Sequence, residues 1–287
     1  PTGGSSPASS YAPAPSARST AEARVALRTV QAVRYVMPFR EGSSVPALVE
    51  ADDLGLYVVK LHGAAQGSRA LVAELLSGGL ARAAGLDVPE LVLVELDRAL
   101  AASEPDPEIS APLEASAGLN LGLDYLPGSV TFDPVASPRP DAATASRIVL
   151  FDALVTNVDR TPRNPNLLLW HRRPWLIDHG ATLYFHHGWE PSDPLVNSRD
   201  PYAEVRHHVL LPWATALPEA ARHLAAALTR DVIEAVAQQL PDAWLGEAHG
   251  FDDPSSHRAA YAAWLSARVE AMPVYLEEAE RAHARRV

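Results

Sequence analysis

The chain has 287 residues, 47% hydrophobic and 21% charged, with 24 Lys plus Arg against 35 Asp plus Glu. That length supports a large core in one or two domains, and the net charge of -11 argues against a broad nucleic-acid surface, which needs basic patches. Cysteine is absent, excluding disulfides, thiolate zinc sites and a cysteine nucleophile; with no apolar run of roughly 18 to 20 residues and no signal-peptide pattern, no membrane span and a cytoplasmic location are expected.

Residues 1–24 are rich in Pro, Ser and Ala and read as a disordered tail. From Thr29 to Phe39 the side chains Val30, Val33, Tyr35, Val36 and Met37 predict a strand, with Ala47–Glu50 as its hairpin partner. The turn between them, from Arg40 to Val45, offers backbone amides and two hydroxyls, which suits an anion and equally an ordinary polar turn. Gly55–Leu61 is the clearest strand of this half and carries Lys60, the one lysine beside 23 arginines. An ammonium retained in such company either snorkels out at an edge or sits where a compact charge is required. Ser68–Ala84 carries Leu71, Leu75 and Leu76 at helical spacing, with Gly85 as a C-cap. Its Glu74 is the only acid between Lys60 and Asp87. Val88–Asp97 predicts another strand, residues 99–116 an acidic insertion or mobile loop, and Leu119–Leu126 a strand ending before Pro127-Gly128.

Ala142–Thr156 predicts an amphipathic helix with Ile148, Val149, Phe151, Leu154 and Val155 on its apolar side. It delivers the chain to the most informative stretch, Asn157–Gly180. Asp159 is followed five residues on by Asn164 and seven on by Asn166, in a loop rich in Pro and Arg. Two short apolar runs then flank a basic turn and predict a hairpin, whose second run ends at Asp178, His179 and Gly180. Two acids and an amide can thereby converge on one point. Phosphoryl transfer needs such a trio, one carboxylate for the attacking hydroxyl and an amide oxygen plus a second carboxylate for a metal on the phosphates; turn chemistry alone also favours Asn, Asp and Pro. His186-His187 and His207-His208 fall in an irregular segment and read as polar, partly exposed side chains rather than metal ligands. Pro218–Gln239 and Ser256–Arg285 predict helices.

The pattern Asp159, Asn164, Asp178-x-Gly180 resembles the catalytic loop and metal-binding motif of protein kinases, phosphatidylinositol kinases and bacterial HipA-like kinases. The run Asn157-x-Asp159-Arg160-Thr161-x-x-Asn164-Pro165-Asn166 is most similar to stand-alone HipA-like kinases. The turn at 40–45 departs from the glycine-rich loop of protein kinases, having one glycine. The resemblance implies an α+β, two-lobed protein-kinase-like fold, with a strand-rich nucleotide-binding lobe over residues 25–127 and a helical lobe with the catalytic loop over 128–287. It implies an ATP- and Mg²⁺-dependent kinase acting on a hydroxyl, foremost a protein serine or threonine and including its own, with metabolite and lipid acceptors open. In that reading Asp159 orients or deprotonates the hydroxyl. Asn164 and Asp178 hold Mg²⁺, with Asn166 in reserve. Lys60, paired with Glu74, fixes the ATP phosphates. Gly42, Ser43 and Ser44 cover those phosphates, backbone groups near Asp124 to Leu126 meet the adenine edge, and Arg160 stabilises the transferred phosphate. Two other readings stand beside it: a nucleotide-binding pseudokinase or regulatory binding module, and a pyridoxal-phosphate enzyme with Lys60 as the Schiff-base residue.

Overall fold

Alternating burial in the first third of the chain produces a closed barrel. The computed structural model of the protein describes residues 27–39, 46–63, 67–101, 106–245 and 250–285, so the turn carrying Gly42, Ser43 and Ser44 and the stretch 1–24 lie outside the described residues. Strands β1 (Thr29–Pro38), β2 (Ala47–Ala51), β3 (Leu56–Lys60), β4 (Leu91–Leu96) and β5 (Gly118–Asp124) close in the order β1-β2-β3-β5-β4. All neighbours are antiparallel except β1 and β4, where Thr29–Gln31 run parallel to Leu93–Glu95. Inward-facing Val30, Val49, Tyr57, Val59, Val92 and Val94 make a core of their own. Gly122 on β5 is required by that core, since a Cβ there would stand 2.6 Å from the Val94 side chain. Along β3 the pleat turns Tyr57 and Val59 inward and leaves Lys60 on the other face.

Helix α1 (Gly67–Ala83) is buried on nearly every side. Residues 99–116, expected as an insertion or loop, instead carry two short helices, α2 (Arg98–Ala101) and α3 (Pro107–Ala115); Leu113 anchors α3 by joining the barrel core. After β6 (Val130–Thr131) come α4 (Ala142–Leu154), β7 (Leu167–Trp170) and β8 (Arg173–Leu176), and the last two form a hairpin in a three-stranded sheet with β6. Trp170 pairs with Arg173, leaving a two-residue turn of His171 (φ 48°) and Arg172 (φ 65°). Both residues are left-handed, as this tight hairpin geometry demands.

The two long helical predictions each divide in two. Residues 217–237 break into α5 (Leu217–Ala227) and α6 (Arg230–Ala237), because the Thr229 hydroxyl caps a new start by accepting from the Val232 N–H. The last segment breaks at Ala271 into α7 (Pro254–Glu270) and α8 (Met272–Ala284), where Pro273 has no N–H to continue the ladder. Helix α1 packs on β4 and β5 and against α6, while α4 is surrounded by α5, α7 and α8. The result is a mixed α+β fold. No helix among the described residues is long and apolar enough to cross a membrane.

Candidate active site

The loop after α4 starts from a fixed point. Asp141 caps the first turn of α4, accepting from the Thr144 N–H at 2.8 Å. At the other end Arg268 of α7, fully buried, donates to the carbonyls of Ala153 (2.6 Å) and Leu154 (3.2 Å), satisfying acceptors that every helix C-terminus leaves open. On the last turn Asp152, also fully buried, accepts from Arg160 Nε at 2.6 Å, His208 Nε2 at 2.8 Å and Asn157 Nδ2 at 2.9 Å. Burial alone would keep Asp152 protonated, but the Arg160 charge and the His208 hydrogen bond hold its pKa well below the usual carboxylate range. His208 Nδ1 accepts the Leu210 N–H at 3.0 Å, which fixes the donating proton on Nε2.

Arg160, expected to stabilise the transferred phosphate, instead faces inward. It is 1% exposed, and its Nη1 donates to the carbonyls of Asn166 and Ile177. One buried arginine thus ties the residue before β7 to the residue before Asp178.

Above this layer Asp159 is half-buried. Its Oδ2 accepts from Asn164 Nδ2 at 2.7 Å and Asn166 Nδ2 at 3.1 Å, so each amide spends its nitrogen on Asp159 and retains its oxygen. Asn164 is exposed; Asn166 is 8% exposed. Asn166 (φ 48°) and Asp178 (φ 56°) are left-handed, a conformation that Asn and Asp tolerate better than other side chains.

The third part joins three distant stretches. Lys60 Nζ donates to Glu74 Oε2 of α1 at 2.5 Å and to Asp178 Oδ1 beyond β8. Burial opposes the Lys60 ammonium, but the two carboxylates outweigh it and raise its pKa above the ordinary value. A Schiff-base lysine needs the opposite, a neutral amine, so this environment speaks against the pyridoxal-phosphate reading. Burial likewise opposes the Glu74 carboxylate, yet Lys60 and His179 keep it ionised and lower its pKa. His179, fully buried, donates from Nδ1 to Glu74 Oε1 at 3.3 Å. The middle residue of Asp178-His179-Gly180 thus holds the same glutamate as the lysine.

Other expectations fare differently. The N–H of Asp124 is committed to Glu90 O and that of Tyr125 to Leu56 O, both at 2.8 Å, so Asp124 cannot offer its amide to a ligand. The Leu126 N–H has no acceptor among the described residues. Each histidine pair splits, contrary to the expectation of partly exposed side chains: His187 and His207 are exposed, whereas His186 is buried against the Tyr261 hydroxyl (3.0 Å) and His208 against Asp152. Asp152 and Arg268 were not singled out by sequence, and Asn157, His179 and His208 were named there without the buried bonds they make. A signal existed for Asp152, an acid inside the apolar run Ile148–Val155, since carboxylates enter such surroundings only when paired.

The donor set suits a hard cation. Asp178 keeps 44% of its side chain exposed, with one carboxylate oxygen on Lys60 and two amide oxygens at Asn164 and Asn166; oxygen ligands of this kind match Mg²⁺. Among the described residues no group of three or more His, Asp or Glu could hold a metal, so a cation at Asp178 would need amide or water oxygens as well. The Lys60 ammonium beside Asp178 matches the anionic phosphates that such a metal accompanies.

A family model described as HipA-like kinase matches residues 32–261. No curated protein matches the chain. Among solved structures, that of a Helicobacter pylori proinflammatory kinase, CtkA, is similar with a TM-score of 0.55 at 11% identity, over 89% of this chain and 98% of that one. At such low identity the likeness shows the fold.

Proposed function

From the premise that this chain belongs to the HipA-like kinase family, and is thus a phosphotransferase, we propose that it transfers the γ-phosphate of ATP, with Mg²⁺, to the hydroxyl of a protein serine or threonine. The observation that carries this reading is the meeting of Lys60 with both Glu74 and Asp178, residues 14 and 118 positions away. In this reading the barrel with α1 to α3, residues 25–127, is the nucleotide lobe, and 128–287 the lobe that carries the catalytic loop.

ATP supplies the phosphoryl group, and Mg²⁺ draws charge from the phosphate oxygens. Lys60 provides a permanent ammonium for those oxygens, and Glu74 keeps it pointed there. His179 keeps Glu74 in place. Asp178 offers the metal its carboxylate. Between the two amides, burial and the Arg160 bond to its carbonyl make Asn166 the better-fixed oxygen ligand, with Asn164 closing the rim of Asp159. Asp159 has Oδ2 committed to both amides, so Oδ1 is the atom that orients the acceptor hydroxyl and takes its proton. The unspent Leu126 N–H is the group for the adenine edge.

The test is mass spectrometry of the protein incubated with Mg²⁺ and ATP, alone and with cell lysate. Phosphate should appear on serine or threonine hydroxyls and vanish with Asp178→Asn. Nucleotide binding without transfer to any acceptor would convert the assignment to a pseudokinase; phosphate found only on metabolites or lipids would replace the acceptor class.

A further inference from the structure

A cleft of about 360 Å³ opens between the turn after α1, the start of α4 and the tip of the β7–β8 hairpin. None of the residues placed in the transfer site lines it. Four arginines do: Arg139 ahead of α4, Arg147 on α4, and Arg172 and Arg173 at the hairpin. Two carboxylates share the lining. Asp87 accepts from Arg173 Nη2 at 2.8 Å. Asp141 is committed to capping α4 through the N–H and hydroxyl of Thr144, both at 2.8 Å.

The remaining charge is compensated only through space, by Asp87 and Asp141 acting on Arg147. Arg139, Arg147 and Arg172 have no ion-pair or hydrogen-bond partner among the described residues, and Arg147 Nε is closed off from solvent without an acceptor. A buried donor left unpaired is costly, and converging like charges repel. The chain as a whole has 35 acidic against 24 basic residues, yet this cleft has four arginines against two aspartates, a net positive lining. The hairpin supplies two of its arginines through a turn in which a histidine and an arginine sit at positive φ, where Asn-Gly would be unstrained.

We propose that this cleft is a binding site for a small phosphate monoester. Guanidinium forks match the paired oxygens of a phosphate in geometry as well as charge, and several of them around one dianion replace its water shell better than a single ammonium could. The volume lies within the range of small-molecule pockets, leaving room beside the phosphate for an organic group. Nothing in this inference depends on the chain being a kinase.

Calorimetric titration with phenyl phosphate and with inorganic phosphate, at constant ionic strength set with sodium chloride, tests it. Wild-type protein and Lys60→Met, compared at a temperature where circular dichroism shows both folded, should bind both probes alike, with phenyl phosphate the tighter. Arg147→Gln and Arg172→Gln should each weaken phenyl phosphate about tenfold or more. Arg172 is exposed at the hairpin tip, so its variant stays informative even if Arg147→Gln folds poorly. Undiminished binding in Arg172→Gln, or no binding heat beyond that of chloride, would overturn the site. Binding lost in Lys60→Met alone would place the phosphate in the transfer site and overturn it equally. Inorganic phosphate binding as tightly as phenyl phosphate would overturn the monoester in favour of the bare ion.

Discussion

Asp159 and Arg160 are adjacent in sequence and belong to different layers of the molecule. The upper layer, Asp159, Asn164 and Asp178, is open enough to trade partners with a ligand. The lower layer, Asp152, Arg160, Asn157 and His208, is sealed and its bonds are internal. The two differ in what their charges can do. A half-exposed carboxylate can exchange a protein amide for a metal or a hydroxyl at small cost, whereas a buried pair can only be kept or broken. Reading a kinase-like motif as a list of catalytic letters misses this, since here one of its charged letters faces inward and holds the others in register.

The largest effect that would sharpen this contrast comes from Asp152→Ala. It leaves the enclosed Arg160 guanidinium without its carboxylate, and one-sided loss of a buried pair costs roughly 3–5 kcal/mol. With about 2–4 °C per kcal/mol for a chain of this size, the melting temperature should fall on the order of 10 °C. Asp159→Ala should hold its melting temperature within a few degrees and lose transfer by about 10²–10⁴-fold. Equal melting losses in the two variants would mean the layers are not distinct.

Lys60 stands where the layers meet, its own side chain nearly enclosed and its partner Glu74 wholly so. Lys60→Arg keeps the charge but replaces a compact ammonium with a planar fork that cannot occupy the same point between two carboxylates. Turnover should drop about 10²-fold, equivalent to roughly 2.7 kcal/mol, with stability nearly kept. Lys60→Met should lose transfer and stability together, because Glu74 then retains only His179. Near wild-type turnover in Lys60→Arg would reduce the lysine to a structural charge.

Much of the upper layer was legible because its residues are rare where they stand: one lysine in the chain, one acid on the following helix, two acids and two amides around a hairpin. The strand and helix order was legible from periodicity. What sequence could not give was direction. In a loop without period, nothing tells whether the side chain after Asp159 turns out to a ligand or in to Asp152. The histidine pairs fail for a related reason. Successive residues in a 3₁₀ turn point about 120° apart, so His186 goes in to Tyr261 while His187 goes out, and the segment is held by stacked aromatics such as Phe185 on Trp264, centroids 3.9 Å apart, rather than by a repeating apolar face.

The smallest and most discriminating effect lies between the two amides. Both donate to the same oxygen of Asp159, so hydrogen bonding does not separate them. Burial does. Asn166 immediately precedes β7, and Arg160 fixes its carbonyl from below, whereas Asn164 sits exposed in the turn. A metal ligand must be held still before the metal arrives, because ordering a mobile side chain subtracts from the binding energy. Gly is the substitution to use, since it accepts the positive φ of Asn166 without strain. Asn166→Gly should raise the Mg²⁺ concentration needed for half-maximal transfer about tenfold, near 1.4 kcal/mol, and Asn164→Gly by no more than about two- to threefold, roughly 0.5 kcal/mol. Titrating Mg²⁺ at saturating ATP in the two variants measures this directly. If Asn164→Gly gave the larger shift, the exposed amide would be the ligand, and the buried layer would end at Arg160 rather than reach up through Asn166 to the metal.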